Sequence, residues 1–220
     1  MSSYRAEFSK TGTARYMSHL DLMRTMQRVF IRGDLSIKHT QGFNPHPHMV
    51  FALPLSVGCD SVCELMDFEL LDDEAPEKIK AVLNKTFPDG IKVLSVYKPE
   101  RKFKDIVWLA VEGQYEYDSG IDDEKLDALE AFYGREQIII TRKTKRGFGD
   151  ADIRPNIYSL TLKREAPDTV RIDAVIAAQN PSLNPEHLVN ALRQLAPELA
   201  PDFALFKRKA FLDKDLHIFK

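Results

Sequence analysis

Two hydrophobic periods alternate along this chain, and that alternation limits its fold more than any single residue does. Tyr4–Ser9 repeats by twos, as a half-buried strand does, and a turn follows at Lys10–Thr13. Ser18-His19-Leu20-Asp21 then matches a capping box, with Ser18 as N-cap and Asp21 at N3. The spacing predicts a helix to about Arg32, stopped by Gly33. Leu22, Met26, Val29 and Phe30 share one stripe of it, with Met23 on the margin, while Asp21, Arg24, Arg28 and Arg32 lie opposite. Leu35–Thr40 and Met49–Val57 read as short strands, the latter broken near Pro54, and Val62–Leu71 as a half-buried strand. A helix over Pro76–Phe87 and a strand over Ile91–Tyr97 complete a βαββαβ order with an additional strand.

The second half repeats the theme loosely. Strands are expected over Ile106–Tyr117, Gln137–Lys143, Tyr158–Arg164, Val170–Ala177 and Phe203–Phe211. Helices are expected over Asp122–Tyr133 and up to Leu195, the latter capped by Ser182 or Asn184. The basic connector Lys98–Lys104 marks the boundary, giving domains 1–100 and 101–220. The expected fold class is α+β, two tandem ferredoxin-like halves (βαββαβ with extra strands). Element order alone carries this, because no residue-level repeat joins the halves.

Charge is distributed unevenly. Residues 1–50 hold seven Lys/Arg against three Asp/Glu, residues 51–136 ten against twenty, and residues 137–220 fourteen against ten. Two basic flanks therefore enclose an acidic middle. Such a pattern suits either plain solvated surfaces or a basic face for a phosphate-rich partner. The pI of about 6.3 argues against strong nonspecific nucleic-acid binding. No run approaches the roughly 18 apolar residues of a membrane span, and MSSYRAEFSK lacks the apolar core of a secretory signal. Cys59 and Cys63 are the only cysteines, which excludes a disulfide framework and an all-cysteine iron–sulfur site on this chain alone. A cytoplasmic location is the expectation.

The segment Gln41-Gly42-Phe43-Asn44-Pro45-His46-Pro47-His48 is the most informative. Gly42 permits positive φ, while Pro45 and Pro47 restrict themselves and the residues before them. The loop is expected to be stiff and ordered, with Phe43 buried in the core; an exposed Phe43 would instead suit stacking on a base. Whether His19 meets His46 depends on strand choice. With Leu35–Thr40 as the second strand of the half, the favoured choice, the loop emerges where the helix begins; with Met49–Val57, it starts at the other end. His46 and His48 with His19 or His39 offer imidazoles for zinc, but His-x-His alone is weak and the cysteines lack a second pair, so no metal is expected. The chain has no G-x-S-x-G, P-loop, G-x-G-x-x-G or C-x₃-C-x₂-C motif.

Tyr16-Met17-Ser18-His19-Leu20-Asp21-Leu22-Met23-Arg24, Gln41–Pro47, Phe51-Ala52-Leu53-Pro54-Leu55 with Val57-Gly58, and Asp152-Ile153-Arg154-Pro155 together resemble the radical-SAM-linked protein family of unknown function. The resemblance covers most of the chain and is weakest over the last forty residues. It implies partnership with a radical S-adenosylmethionine protein in a modification reaction, with S-adenosylmethionine and the iron–sulfur cluster on the partner and no cofactor on this chain. The fold is also similar in outline to RNA-binding tandem ferredoxin-like proteins. His48 departs from the family pattern, where Lys or Arg is expected, and the cysteines lie outside it.

Two functions follow. In one the chain is an accessory module binding RNA or another phosphate-bearing substrate. Arg24, Arg28, Lys143, Lys145, Arg146 and Arg154 would then meet phosphate, with Phe43, Asn44 and His46 at the substrate. In the other it is an enzyme, with His19 or His46 as general acid/base oriented by Asp21 or Asp152. Ser18, Gly42, Pro45, Pro47 and Pro155 serve as structural motif residues in both. Gly147 and Gly149 mark 143–155 as a mobile loop ending in a stiff Arg154-Pro155, so Arg154 is read as a phosphate or carboxylate fork, or else as one half of an ion pair with Asp152 or Asp21.

Overall fold

A computed structural model of the chain describes residues 2–144 and 147–220. Its elements, in order, are β1 (Ser2–Lys10), α1 (His19–Arg32), β2 (Met49–Phe51), β3 (Asp60–Leu70), α2 (Pro76–Thr86), β4 (Ile91–Tyr97), β5 (Trp108–Glu116), α3 (Asp123–Tyr133), β6 (Ile139–Thr144), β7 (Gly147–Asp152), β8 (Ile157–Ala166), β9 (Thr169–Ala177), α4 (Glu186–Leu195) and β10 (Phe203–Leu212). The chain is mixed α+β and divides into two compact units. One runs to Asp105 and includes Lys220; the other is Ile106–Phe219. No helix of the described residues is long and apolar enough to cross a membrane.

In the first unit the strand order is β4-β1-β3-β2, antiparallel throughout. Strand alternation sends Tyr4, Ala6 and Phe8 of β1 and Met66, Phe68 and Leu70 of β3 to one face. The stripe of α1, Leu22, Met26, Val29 and Phe30, covers that face together with Ile79 and Leu83 of α2. Each such large side chain contributes roughly 1.5–3 kcal/mol when buried. The exposed Asp21–Arg24 pair, 3.6 Å apart, adds only a few tenths, so the stripe holds the helix. The opposite face carries a fully buried Arg5. Its Nε and Nη2 donate to both oxygens of Asp67 (2.6 and 2.8 Å), Nη2 also to the Arg101 carbonyl (2.8 Å), and its guanidinium lies over Phe103. A charge this deep needs such a paired, bidentate acceptor.

Both ends of α1 differ instructively. Ser18 caps it, accepting from Asp21 N–H, and donates its own hydroxyl proton to the Asp21 carboxylate (2.7 Å). At the other end Gly33 is right-handed, and Asp34 takes the left-handed conformation (φ +53). Leu35 N–H reaches the Phe30 carbonyl and Asp34 N–H that of Ile31, a Schellman closure. Gly33 is needed for a different reason: a Cβ there would stand 2.5 Å from Val82 of α2.

The second unit repeats the strand order as β10-β5-β9-β8, again antiparallel. Leu109, Val111 and Tyr115 of β5 and Val170, Ile172, Ala174 and Ile176 of β9 are buried, as are Leu129 and Phe132 of α3 and Leu188 and Leu192 of α4. Two buried phenols join these layers: Tyr115 and Tyr133 hydroxyls lie 2.9 Å apart, and Tyr133 donates to the Leu188 carbonyl. Burial pushes both well above the ordinary tyrosine range. The α4 cap is neither Ser182 nor Asn184 but Pro185; Asn184 still accepts from Glu186 N–H (3.1 Å).

Three expectations are corrected. Leu35–Thr40 is no continuous strand; it makes two isolated bridges, Ile37 to Leu70 and His39 to Pro47. Met49–Val57 contracts to β2, Met49–Phe51. The glycine-rich stretch expected to be a mobile loop is β7, hydrogen-bonded to β6 from Asp152 opposite Ile139 to Gly147 opposite Thr144. Backbone pairing with β6 supplies what its sequence lacks in apolar alternation.

Asp73 anchors the start of β1. It accepts from Ser2 Oγ (2.7 Å), Tyr4 OH (2.8 Å) and Lys98 Nζ (3.2 Å), and these donors hold its carboxyl down at about 2 from an ordinary 3.8. A lowered folded-state value means stability that is complete above about pH 4 and lost as pH falls through about 2. Comparing urea midpoints of the protein and Asp73→Asn should therefore give a gap that is constant from pH 7 to 5 and closes toward pH 2.

Candidate functional site

The edge strand of the first unit is interrupted. Ile37 pairs with Leu70, Lys38 N–H bonds the Glu69 carbonyl (2.9 Å), and the next β3 residue, Phe68, faces Met49. Residues 39–48 leave the sheet between these points as a narrow ribbon. Its neck is closed by His48 N–H to the Lys38 carbonyl (2.7 Å), a His39–Pro47 bridge and Thr40 N–H to the His46 carbonyl (2.8 Å). Below the neck, Glu69 carries an ion pair to Lys38 Nζ and has His48 Nδ1 3.3 Å from its other oxygen; the Lys38 hydrogen bond, chiefly, pushes the Glu69 carboxyl down.

Beyond the neck, Gln41–His46 is exposed throughout and Phe43 is fully so, contrary to the expected core position. Gly42 has φ +133 with nothing within 4 Å of an added Cβ, so conformation alone demands glycine there. His46 is tied to its own ribbon: its backbone N–H donates to Thr40 Oγ1, and its Nδ1 lies 3.1 Å from that oxygen and 3.3 Å from the Asn44 carbonyl. The ring is fastened to the loop it stands on.

His19, first residue of α1, meets Phe51 edge-on at 5.3 Å between ring centres. This contact brings the Tyr16–Arg24 and Phe51–Leu55 motifs together. Among the described residues no hydrogen bond or ring contact joins His19 to His46, and no carboxylate bonds either ring. Asp21 is occupied by Ser18 and Arg24. Arg24 and Arg28 are both exposed on α1, and among the described residues Arg28 has no acidic partner.

In the second unit the Asp152–Pro155 motif fastens the root of the β6–β7 ribbon. Asp152 Oδ1 accepts from Ile138 N–H (2.9 Å) and Arg154 N–H (3.0 Å). Arg154 Nε donates to the Arg135 carbonyl (3.1 Å) and Nη1 to that of Ile157 (2.9 Å), clipping the chain entering the ribbon to the chain leaving it. Neither Asp152 nor Asp21 forms the ion pair considered from sequence. Arg154 also borders a groove of about 450 Å³ with Glu130, Tyr133, Tyr158, Ser159 and Thr161. Lys145 and Arg146 lie outside the described residues. Among the described residues, the group of three able to ligate a metal is Asp213, Asp215 and His217, not the histidines of the first unit. Asp213 already accepts from the backbone N–H of the other two.

Residues 3–185 match a family described as an uncharacterized protein conserved in bacteria (DUF2344). The chain belongs to that family. The match spans the helix cap, the 39–48 ribbon and the Asp152–Pro155 fastener, so all three are features of this DUF2344 member's matched region. No curated protein matches the chain. Among solved structures, a chain of a Cbf5-Nop10-Gar1 complex is similar over 93% of this chain and 47% of its own, at 9% identity and TM-score 0.50. The chain thus spans about half the length of that neighbour, and the likeness is one of fold. An unknown protein from Galdieria sulphuraria aligns over 94% of this chain and 98% of its own, at 11% identity and TM-score 0.27.

Sequence reasoning missed the ribbon neck and the fastening role of Asp152 and Arg154. The hydroxyl of Thr40, six residues from His46, and the Asp-x-Arg spacing of 152–154 were the available signals. Two outcomes follow. Phe43→Ala should leave stability within about 0.5 kcal/mol in urea unfolding, because the ring touches no core. Arg154→Lys should cost about 1–3 kcal/mol, since lysine cannot span two carbonyls and charge-assisted bonds of this kind are each worth about that much.

Proposed function

We propose that the chain is an accessory module that holds single-stranded RNA, or another phosphate-bearing substrate, for a radical-SAM partner in a modification reaction. The partner brings S-adenosylmethionine and its iron–sulfur cluster; this chain contributes binding, in the reducing cytoplasm that suits its two buried cysteines. Each unit is read as a ferredoxin-like half: the fourth, first, third and second sheet strands lie in that order in both.

The observation that carries the reading is Phe43. A phenylalanine in water forgoes the roughly 1.5–3 kcal/mol that burial would give. This one also stands at the tip of a ribbon stiffened by Pro45 and Pro47 and closed by backbone bonds. The ring is pre-positioned and its face is free, the arrangement that stacks on an unpaired base with little entropy left to lose. Asn44 beside it offers an amide for a base edge, and Arg24 and Arg28 offer charge for phosphate. The overall charge of -2 gives no field-wide attraction, so binding rests on these few groups.

An enzymatic reading through His19 or His46 needs an orienting acid, and neither ring bonds one among the described residues. Fluorescence anisotropy with a single-stranded oligonucleotide tests the module. Phe43→Ala should weaken binding roughly five-fold or more while Phe43→Trp retains it. A wild-type chain that binds no RNA would contradict the reading, and an alanine variant that binds equally well would contradict the part Phe43 plays in it.

A further inference from the structure

The β6–β7 ribbon holds, in the second unit, the place in chain order that the 39–48 ribbon holds in the first. Each lies between the first helix of its unit and the second strand of its sheet: α1, 39–48, β2 in one, and α3, β6–β7, β8 in the other. Each also displays a phenylalanine to solvent, Phe43 fully and Phe148 at 79% exposure.

The root of the β6–β7 ribbon is rigid. Ile138, Ile140 and Ile153 are buried. The Gln194 side chain of α4 accepts from Thr141 N–H (2.8 Å) and donates to the Thr141 carbonyl (3.0 Å). Asp152 and Arg154 complete the fastening. Farther out, Lys143 stands directly opposite Phe148, and opposed residues of an antiparallel pair share a face. Thr141 and Asp150 continue that face toward the root, the threonine hydroxyl donating to the carboxylate (2.7 Å). Among the described residues no carboxylate pairs with Arg142 or Lys143. The sequence Arg142-Lys143-Thr144-Lys145-Arg146 carries four cations ahead of Phe148, and the next acid along the chain is Asp150.

We propose that Phe148 and Lys143 form a second contact for single-stranded RNA, Phe148 stacking on a base and Lys143 meeting an adjacent phosphate. This rests on the reading of the chain as an RNA-binding module and extends it to a site in the other unit. An exposed ring alone would suit many partners. An ammonium on the same face, with no carboxylate partner among the described residues, selects a ligand that alternates flat rings with negative charge.

The test is anisotropy of a fluorescent oligouridylate with the full chain, titrated at several salt concentrations, with melting curves for each variant. Phe148→Ala should lower affinity roughly five-fold or more, and Phe148→Trp should restore it. Lys143→Ala should reduce the slope of log K against log salt by about 0.7, the loss of one phosphate contact on a single strand. If Phe43→Ala weakens binding while Phe148→Ala and Lys143→Ala leave affinity and slope unchanged, the second contact is overturned and the module reading stands. If the wild-type chain binds no oligouridylate, both fall. Weakening by Phe148→Ala and Lys143→Ala, each with an unchanged melting curve, supports the second contact even where Phe43→Ala is silent.

Discussion

The neck of the 39–48 ribbon is the constraint on which the first unit's outward face depends. An edge strand normally presents its outer backbone groups to water or to another chain. Here the chain instead leaves the sheet after Lys38, and the two ends of a ten-residue excursion pair with each other before sheet pairing resumes at Met49, opposite Phe68. Three backbone contacts, anchored below by Lys38, His48 and Glu69, turn a loop with little apolar burial into an ordered projection. Without them the prolines would stiffen individual residues but fix no direction for Phe43.

The same solution recurs in the second unit with different chemistry. There the projection is a regular two-stranded ribbon, and its root is held by side chains acting on backbone: Gln194 on Thr141, Asp152 on Ile138, Arg154 on Arg135 and Ile157. Such bonds hold direction because each ties a side-chain group to a backbone group that the strand ladder leaves unpaired. The sheets behind the ribbons are conventional by comparison. Their work is to give each ribbon a fixed base.

Much of the scaffold was legible in the sequence because its determinants are local. The capping box at Ser18 and Asp21, the α1 stripe from Leu22 to Phe30 and the alternation along β3 each act within a few residues. What was not legible depends on partners distant in the chain. GFGDAD has no apolar alternation, so β7 exists only through β6. Gly33 reads simply as a helix stop until Val82 is seen against it. Phe43 reads as core because phenylalanine usually is, and only the closed neck shows that it faces outward. For the candidate site, the chemistry of Asp152 and Arg154 was visible as residue types, but their acceptors and donors at 135, 138 and 157 were not.

Amide hydrogen exchange, followed with and without single-stranded RNA, tests most directly whether these are rooted projections that bind at their tips. The account predicts slow exchange at the roots of the free protein, at Thr40, His48 and Thr141, with fast exchange at Gln41–Asn44. RNA should add protection at Gln41–Asn44 and His46, and at Lys143, Gly147 and Phe148. Roots that exchange as fast as the tips, or RNA protection confined to the helices, would contradict it.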